Sequence, residues 1–294
     1  MRNRILLFIL FCCGLLAGCK QTKPGNEHGK PGQTLTVSIE PLRYVTERIA
    51  GDAFNVVTFV PKGNSPEMYE PTPEQMASLG KSTAFFSVGA LGFERTWMER
   101  LRQNAPEVTF VRTSEGITTL AGHHHGSTEN ATDPHVWTSP RNMAVIAQNI
   151  CAALCRLDTA HARMFRQNLQ ATLAEIQDVN DSIQKLLSSP HKEAFLIYHP
   201  ALTYFAHDYG LTQIAIETDG KEPSPSKIVQ LINRCKAQNV RVIFVQQEFD
   251  RKNAELIAKE TATRIVAINP LAYDWKEEML RIAQTLNEQC KKNH

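Results

Sequence analysis

The sequence predicts an α/β protein of two Rossmann-like lobes, each a parallel sheet with flanking helices, joined by one long rigid backbone helix. Three observations lead to this fold class. Short runs rich in β-branched and aromatic residues alternate with helical patterns in both halves of the chain. These runs are almost continuously apolar, which is typical of parallel strands covered by helices on both faces. Between the halves, residues 140–189 contain no strand pattern and no glycine.

Eight segments are predicted as strands, four in each half. The residues between them have the spacing of apolar positions expected for helices of ten or more residues. About 260 residues follow the first 33, enough for two ordinary lobes. The predicted strands are residues 34–39, 55–60, 84–88 and 107–111 in the first half, and 193–198, 213–217, 240–245 and 264–268 in the second.

The connecting segment is predicted as one helix from Asp158, its expected N-cap, to residue 189, just before Pro190. Its apolar residues recur at intervals of three and four, with one of seven, as expected for a single buried stripe. They are Phe165, Leu169, Leu173, Ile176, Ile183 and Leu186. Such a helix would be ~48 Å long at 1.5 Å per residue, enough to run the height of both lobes. A stiff connector of this kind limits how far the lobes can open.

The first residues have the features of a secretory signal that ends in a lipidation motif. Two arginines precede an apolar run of roughly 13 residues, whereas a membrane-spanning helix, the competing interpretation, needs ~20. The run ends in Leu-Ala-Gly-Cys, a motif in which a peptidase cuts before Cys19 and the thiol of Cys19 is then acylated. We therefore expect residues 1–18 to be removed and the protein to be lipid-anchored to a bacterial membrane. Residues 20–33 contain no large apolar side chain and are expected to form a flexible tether.

Charge and cysteine spacing exclude several function classes. Without residues 1–18 the chain has 30 basic and 30 acidic side chains, so nothing indicates binding to nucleic acid. Cys151 and Cys155 lie four residues apart on a predicted helix, with no third thiol or histidine near them in sequence. We expect them to pack in the core rather than to form a disulfide or a metal site. The sequence also lacks the motifs of zinc proteases and of serine hydrolases.

Residues able to bind a cation follow several of the predicted strands. Glu67 lies in the loop VPKGNSPEMYEPTP after the second strand, and His135 lies in DPHVW before the connecting helices. His199 comes directly after the fifth strand, and Asn269 directly after the last. Because the carboxyl ends of parallel strands open toward a crevice where ligands bind, these loops are expected to meet there.

Two imidazoles and one carboxylate supply three of the four positions of a tetrahedral zinc site, with water or a nearby group as the fourth. His135 and His199 each lie beside a proline, whose restricted backbone lowers the entropy cost of holding a ligand in place. Taken singly, each histidine could equally be a hydrogen-bonded, partly buried residue. Glu67 has a competitor in Glu70, and either could be a solvated surface glutamate. It is their combination at one predicted crevice that favours a metal site.

A histidine triplet precedes the DPHVW segment. His123, His124 and His125 are followed by GSTENATD, which contains no apolar anchor. Three adjacent side chains cannot all face one rigid site, so we expect an accessory loop that gathers or hands over metal, with loose surface histidines as the alternative. His135 is then the better candidate for the fixed site.

Together these segments resemble the metal-binding solute-binding lipoproteins of ABC importers, in the cluster that serves zinc, manganese and iron. The similarity covers essentially all of the chain after the signal and is most specific in DPHVW and YHPALTYF. It also includes PKGNSPEMYEPTPEQM, KEPSPSKIVQLI and VAINPL. Such proteins hold one buried metal between their lobes and dock on a membrane permease, and they are receptors rather than enzymes. The resemblance implies a monomeric receptor in the periplasm or cell envelope.

The same resemblance assigns His135 and His199 to two ligand positions of that family. A histidine at the position of His199, and a His-rich loop before DPHVW, are typical of its zinc members. Two positions depart from the pattern, since the first ligand, usually histidine, is Glu67 and the fourth, often aspartate, is Asn269. A set with two nitrogens and one oxygen is less selective for zinc over manganese or iron. Neutral Asn269 would be a weak oxygen ligand or a group that orients another ligand.

Three hypotheses follow for function. The leading one is capture of Zn2+, with Mn2+ or Fe2+ as alternative cargo, and delivery to an ABC permease. A zinc hydrolase is the second, because three protein ligands leave a position where water can be activated, although no general-base motif accompanies it. A surface adhesin that mediates cell adhesion and holds a structural metal is the third. The predicted organisation is a signal peptide (1–18), a tether (19–33), an N-terminal lobe (34–157), the connecting helix (158–189) and a C-terminal lobe (190–294).

Overall fold

Two four-stranded parallel sheets form the framework of the protein, as the sequence predicts. The computed structural model describes residues 33–122, 132–188, 194–217 and 220–290. All eight predicted strands are present, with ends that differ by a few residues. The first sheet contains β1 (Thr34–Val37), β2 (Asn55–Thr58), β3 (Ala84–Ser87) and β4 (Thr109–Arg112), and the second contains β5 (Ala194–Ile197), β6 (Thr212–Ala215), β7 (Val242–Gln246) and β8 (Arg264–Ile268).

The two sheets have the same strand order. The first runs β2-β1-β3-β4 and the second runs β6-β5-β7-β8, and every pairing is parallel. In each lobe the second strand, β2 or β6, lies on one side of the first strand, β1 or β5. The third strand, β3 or β7, lies on the other side of that first strand. Such a switch leaves a crevice at the carboxyl ends of the central strands, where ligands bind in open α/β sheets.

Helices flank both sheets and connect them. The helices of the first lobe are α1 (Glu40–Ala50), α2 (Pro73–Leu79) and α3 (Gly92–Asn104), followed by α4 (Pro140–Leu157) and α5 (Ala162–Leu186) between the lobes. Those of the second lobe are α6 (Thr203–Tyr209), α7 (Pro225–Ala237), α8 (Lys252–Thr261) and α9 (Trp275–Cys290). Among the described residues, none of these helices is both long and apolar enough to cross a membrane.

The connecting helix is confirmed but is shorter than predicted. Helix α5 begins at Ala162 rather than after Asp158 and ends at Leu186, so its 25 residues span ~38 Å instead of ~48 Å. Asp158 is wrong as its N-cap, because it is the C-cap of α4. Its carboxylate instead accepts hydrogen bonds from the backbone nitrogen and from Nδ1 of His161, at 3.2 and 2.6 Å, and this contact stabilises the break between the two helices.

One hydrophobic core runs through both lobes. Helix α5 packs against α1, α4 and α9, so it contacts elements of each half. Phe165, Ile176 and Ile183 of its apolar stripe are buried in a cluster that reaches from β1 to β7 and α9. Cys151 lies in this same cluster, which confirms the prediction that it packs in the core. A smaller apolar cluster covers the other face of the second sheet.

Several sequence predictions fall on residues outside the described part of the chain. These are the signal peptide (1–18), the lipidation site Cys19, most of the tether (19–33) and the triplet His123, His124 and His125.

Candidate metal centre

Glu67, His135 and His199 line one small pocket between the two sheets. Glu67 lies in the loop between β2 and α2, and His199 lies two residues after the end of β5. His135 lies just before a short 3-10 turn, Val136–Thr138, that leads into α4. The structure therefore brings together three of the residues that the sequence predicted, from both halves of the chain.

The two imidazole rings face each other across this pocket. Nε2 of His135 and Nε2 of His199 are 3.1 Å apart, and the ring planes are inclined at 71°. For comparison, two nitrogens bound to one tetrahedral zinc ion at 2.0 to 2.1 Å lie about 3.3 to 3.4 Å from each other. The spacing of the two rings thus suits a shared cation.

A carboxylate fixes the orientation of each ring. Nδ1 of His135 lies 3.0 Å from Oδ1 of Asp133, and Nδ1 of His199 lies 2.5 Å from Oε1 of Glu217. With Nδ1–H donating to a carboxylate, each neutral ring presents a bare Nε2 lone pair, as a metal-ligating histidine does. Two lone pairs that point at each other repel unless a cation or a proton lies between them. Within the described residues, this arrangement is the strongest sign of a cation site.

Charges around His135 govern its protonation. Burial by itself would lower the pKa of His135, but the nearby charge and hydrogen bond of Asp133, together with Glu67 and Glu217, raise the pKa above the ordinary histidine value. Burial would likewise raise the pKa of Asp133, but the interaction with His135 lowers it overall. The buried pair therefore favours a positive charge on the imidazole, which is the charge that a bound cation would replace.

Glu67 supplies a carboxylate oxygen without a partner. Its Oε2 accepts a hydrogen bond from the backbone nitrogen of Gly92 at 3.1 Å. Its Oε1 is buried and has no hydrogen-bond partner among the described residues, and it lies 4.0 Å from Nε2 of His135. A buried, unsatisfied carboxylate oxygen is costly unless a ligand completes it. Glu70, the competing glutamate, is exposed.

The start of helix α3 holds the Glu67 loop in place. Besides the contact of Gly92, the backbone nitrogen of Phe93 donates to the carbonyl oxygen of Pro66 at 3.0 Å. A Cβ atom at position 92 would lie 2.0 Å from the carbonyl oxygen of Glu67, so only glycine fits there. The buried Glu94 secures the turn before the helix by accepting from the nitrogens of Val88, Gly89 and Leu91 at 2.8, 2.6 and 3.2 Å.

The last residue of β7 and the loop that follows hold His199 from the other side. Gln246 is buried, and its amide donates to the carbonyl oxygen of His199 at 2.7 Å and accepts from its backbone nitrogen at 3.3 Å. Phe249 stacks on the imidazole of His199 with centroids 5.2 Å apart and planes inclined by 14°. These contacts leave His199 little freedom to turn away from the pocket.

Asn269 is not among the residues that line the pocket of the two histidines. Its Oδ1 accepts a hydrogen bond from the backbone nitrogen of Leu271 at 3.1 Å, and the backbone nitrogen of Asn269 donates to Oε1 of Glu278 at 2.7 Å. It lines a neighbouring cavity rather than the pocket of the histidines, which Leu271 lines instead. The structure thus gives Asn269 a place in a turn, and its role as a ligand or as an orienting group stays a prediction.

The space between the ligands suits an ion. The pocket has a volume of about 30 Å³, enough for one or two particles the size of water. Two wider cavities adjoin it, one of about 240 Å³ on the side of Met68 and Gly122 and one of about 270 Å³ on the side of Glu40 and Asp274. Within the described residues, no three His, Cys, Asp or Glu side chains already form a complete ligand set. To share a cation with the two rings, as the sequence predicts, the Glu67 side chain would have to move toward them from its 4.0 Å separation.

Asp133, Glu217 and Gln246, which orient the two histidines, were not among the predicted site residues. Asp133 could have been predicted, because it lies two residues before His135 in DPHVW, close enough for its carboxylate to hydrogen-bond the imidazole. Glu217 and Gln246 were not visible, because they are 18 and 47 residues from His199 and reach it only through the pairing of β5 with β6 and β7.

Comparisons with known proteins identify the family of this chain. A family model described as ZnuA, zinc-uptake complex component A, periplasmic, matches residues 35–289. The high-affinity zinc uptake system protein ZnuA of Bacillus subtilis (strain 168) is 28% identical over 288 residues, which cover 92% of this chain and 90% of the relative. A crystal structure of ZnuA is 35% identical with a TM-score of 0.82, covering 87% of this chain and 98% of its own. A ZnuA deletion mutant with zinc bound is also 35% identical, with a TM-score of 0.81 and coverage of 87% and 97%. The chain therefore belongs to the family of zinc-uptake complex component A.

Proposed function

We propose that this protein is an extracytoplasmic receptor that captures Zn2+ between its lobes and delivers it to the permease of an ABC importer. The observation that carries the proposal is the pair of imidazoles, each oriented by a carboxylate, with Nε2 atoms 3.1 Å apart. Membership of the zinc-uptake family and similarity to a zinc-bound ZnuA mutant support zinc as the cargo.

Chemistry favours zinc over the harder cations at this pocket. Imidazole nitrogens suit zinc, whereas manganese prefers oxygen ligands, and Glu67 is the one carboxylate among the three predicted ligands. Mn2+ or Fe2+ remains the alternative cargo, because replacing an imidazole by Glu67 makes the set harder. A receptor, unlike a hydrolase, needs only to hold and release the ion, and a pocket of about 30 Å³ supports that role.

The test is calorimetric titration of the metal-stripped protein with Zn2+ and then with Mn2+. We expect one zinc ion to bind tightly, and His199→Ala or His135→Ala to abolish tight binding, because each removes one of two nitrogen ligands. His207→Ala is the matched control, since His207 is exposed and pairs with Asp208 at 3.6 Å outside the pocket. Tight binding retained in either ligand variant would refute the assignment, and a preference for Mn2+ would show that Glu67 resets the selectivity.

The His123–His125 triplet is proposed to serve as an accessory collector of metal. Its deletion should leave the tight site intact, because Glu67, His135 and His199 supply that site without it. Loss of tight binding on deletion would instead place the triplet among the permanent ligands.

Lipid attachment at Cys19 is proposed to keep the receptor, as a monomer, at the membrane that holds the permease. The resemblance of residues 1–19 to a lipidation signal supports this location in the periplasm or cell envelope. Cys19→Ala should move the protein from the membrane fraction to the soluble fraction of the cell envelope. Unchanged membrane association of that variant would contradict the lipid anchor.

A further inference from the structure

We propose that Glu248 is the fourth ligand of the metal centre. The inference rests on the proposed function, and it concerns the fourth ligand position, since Asn269 does not line this pocket. Glu248 follows β7 and lines the same pocket as Glu67, His135 and His199. Besides Glu67, it is the other carboxylate among the lining residues.

Elimination within the pocket leads to Glu248. The remaining polar residues of the lining are Ser65 and Gln246. The amide of Gln246 uses its oxygen and its nitrogen on the backbone of His199, and the hydroxyl of Ser65 accepts from the nitrogen of Glu67 at 3.3 Å. Glu248 has no hydrogen bond or ion pair to another described residue, so its carboxylate is available.

The residues on either side of Glu248 in the chain, Gln246 and Phe249, both contact His199. Gln246 clamps the backbone of His199, and Phe249 stacks on its ring. The backbone nitrogen of Phe249 donates to the carbonyl oxygen of Gln246 at 3.3 Å, which closes a tight turn. The two residues within that turn are Gln247, which is exposed, and Glu248, whose side chain is half-buried. It lines both the pocket and the adjoining cavity of about 270 Å³, so it stands where the ion would pass between them.

Charge gives the second argument. With Glu67 as the one charged ligand, the ligand set itself leaves one positive charge of a divalent ion unmatched, since Asp133 and Glu217 act on the ion only through the imidazoles. Glu248 supplies the second negative charge that an aspartate at position 269 would otherwise bring. Because opposite charges attract more strongly where water is partly excluded, a half-buried carboxylate lining this pocket favours a divalent cation there. Two carboxylates also make the set harder, so losing Glu248 should reduce Mn2+ affinity more than Zn2+ affinity.

The test compares Glu248→Gln with Asp250→Asn in the full mature protein. Both variants remove one negative charge from the same loop, but Asp250 is exposed and pairs with Lys252 at 3.3 Å. We expect Glu248→Gln to weaken zinc binding by roughly 10- to 100-fold, as for groups next to a metal, and Asp250→Asn to change it less than about twofold. Thermal unfolding of the metal-free proteins checks that both variants fold.

Spectra of the Co2+-substituted protein separate a ligand from a distant charge. Loss of a coordinating oxygen in Glu248→Gln should change the energy and intensity of the d–d bands, whereas Asp250→Asn should leave the spectrum as in the wild type. An unchanged spectrum and zinc affinity in Glu248→Gln would overturn the proposal while leaving the receptor function standing. Absence of tight zinc binding in the wild-type protein would instead refute the proposed function itself.

Discussion

Replacing Asp133 by asparagine tests how the protein tunes His135. Oδ1 of Asp133 accepts from the backbone nitrogen and from Nδ1 of His135 at 2.8 and 3.0 Å, and its Oδ2 accepts from the hydroxyl of Thr203 at 2.7 Å. Asparagine has the same shape, and its amide can donate to that hydroxyl while its oxygen still accepts from His135. The substitution therefore removes the charge and preserves the geometry.

Two effects of opposite sign follow. Without its carboxylate partner, the imidazole is a poorer ligand, and zinc affinity at pH 8 should fall by 10- to 100-fold, or about 1.4 to 2.7 kcal/mol. Asp133 also raises the pKa of His135 above its ordinary value, so in the wild type protons compete with metal as the pH falls through that raised pKa. In Asp133→Asn the pKa of His135 should drop. The loss of zinc affinity on acidification should therefore begin at a lower pH than in the wild type.

The assay is zinc affinity by competition with a chelating dye, from pH 5.5 to pH 8.5. Asp158→Asn is the matched control, because Asp158 makes the same kind of contact with His161, at 2.6 Å, far along the chain from the metal loops. A uniform loss of affinity in Asp133→Asn with no change in the acid limb would mean that the variant merely disturbs the fold. Wild-type affinity at pH 8 would refute the view that the carboxylate strengthens the ligand.

Three further predictions concern the groups around the ligands. Gly92→Ala should weaken zinc binding by roughly tenfold or more, because the new Cβ would lie 2.0 Å from the carbonyl oxygen of Glu67 and push that loop away, while circular dichroism reports an intact fold. Gln246→Ala should lower the free energy of unfolding by about 1 to 3 kcal/mol in urea titrations, because two backbone groups of His199 lose their partner. Burial raises the pKa of Glu94 from 4.5 to about 7. The free energy of unfolding of the metal-free protein should therefore fall by up to about 3 kcal/mol as the pH rises from 4.5 to 7.5. Glu94→Gln should make the free energy of unfolding less dependent on pH over this range.

Features set by local sequence were predictable. Each strand is an apolar run bounded by polar residues, so all eight were located from the sequence to within a few residues. Because ligands gather at the carboxyl ends of parallel strands, the meeting of Glu67, His135 and His199 was predictable as well. The spacing of apolar residues at intervals of three and four likewise predicted the connecting helix, and this stripe is buried along α5.

Features set by contacts distant in sequence were not predictable. The break between α4 and α5 depends on the contact of Asp158 with His161, and an aspartate before a helical pattern looks the same whether it ends one helix or begins another. The need for glycine at position 92 arises only because the Glu67 loop crosses the start of α3. The turn formed by Asn269 could not be predicted either, because its side chain accepts from the backbone nitrogen of residue 271, which every residue type except proline supplies.

Two buried tryptophans bear on how the ion enters and leaves. Nε1 of Trp137 donates to the carbonyl oxygen of Pro270 at 2.8 Å, and Nε1 of Trp275 donates to that of Trp137 at 2.7 Å. Both bonds join the His135 segment to the second lobe, alongside a core that is continuous between the lobes. Opening the lobes would break these bonds and expose that core. The Glu67 loop, by contrast, is exposed over residues 61–64 and carries Met68 with 77% of its surface exposed. Since a local opening costs less than a global one, we expect residues 61–64 and Met68 to move when an ion enters, while the hydrogen bonds to the start of α3 hold Pro66 and Glu67.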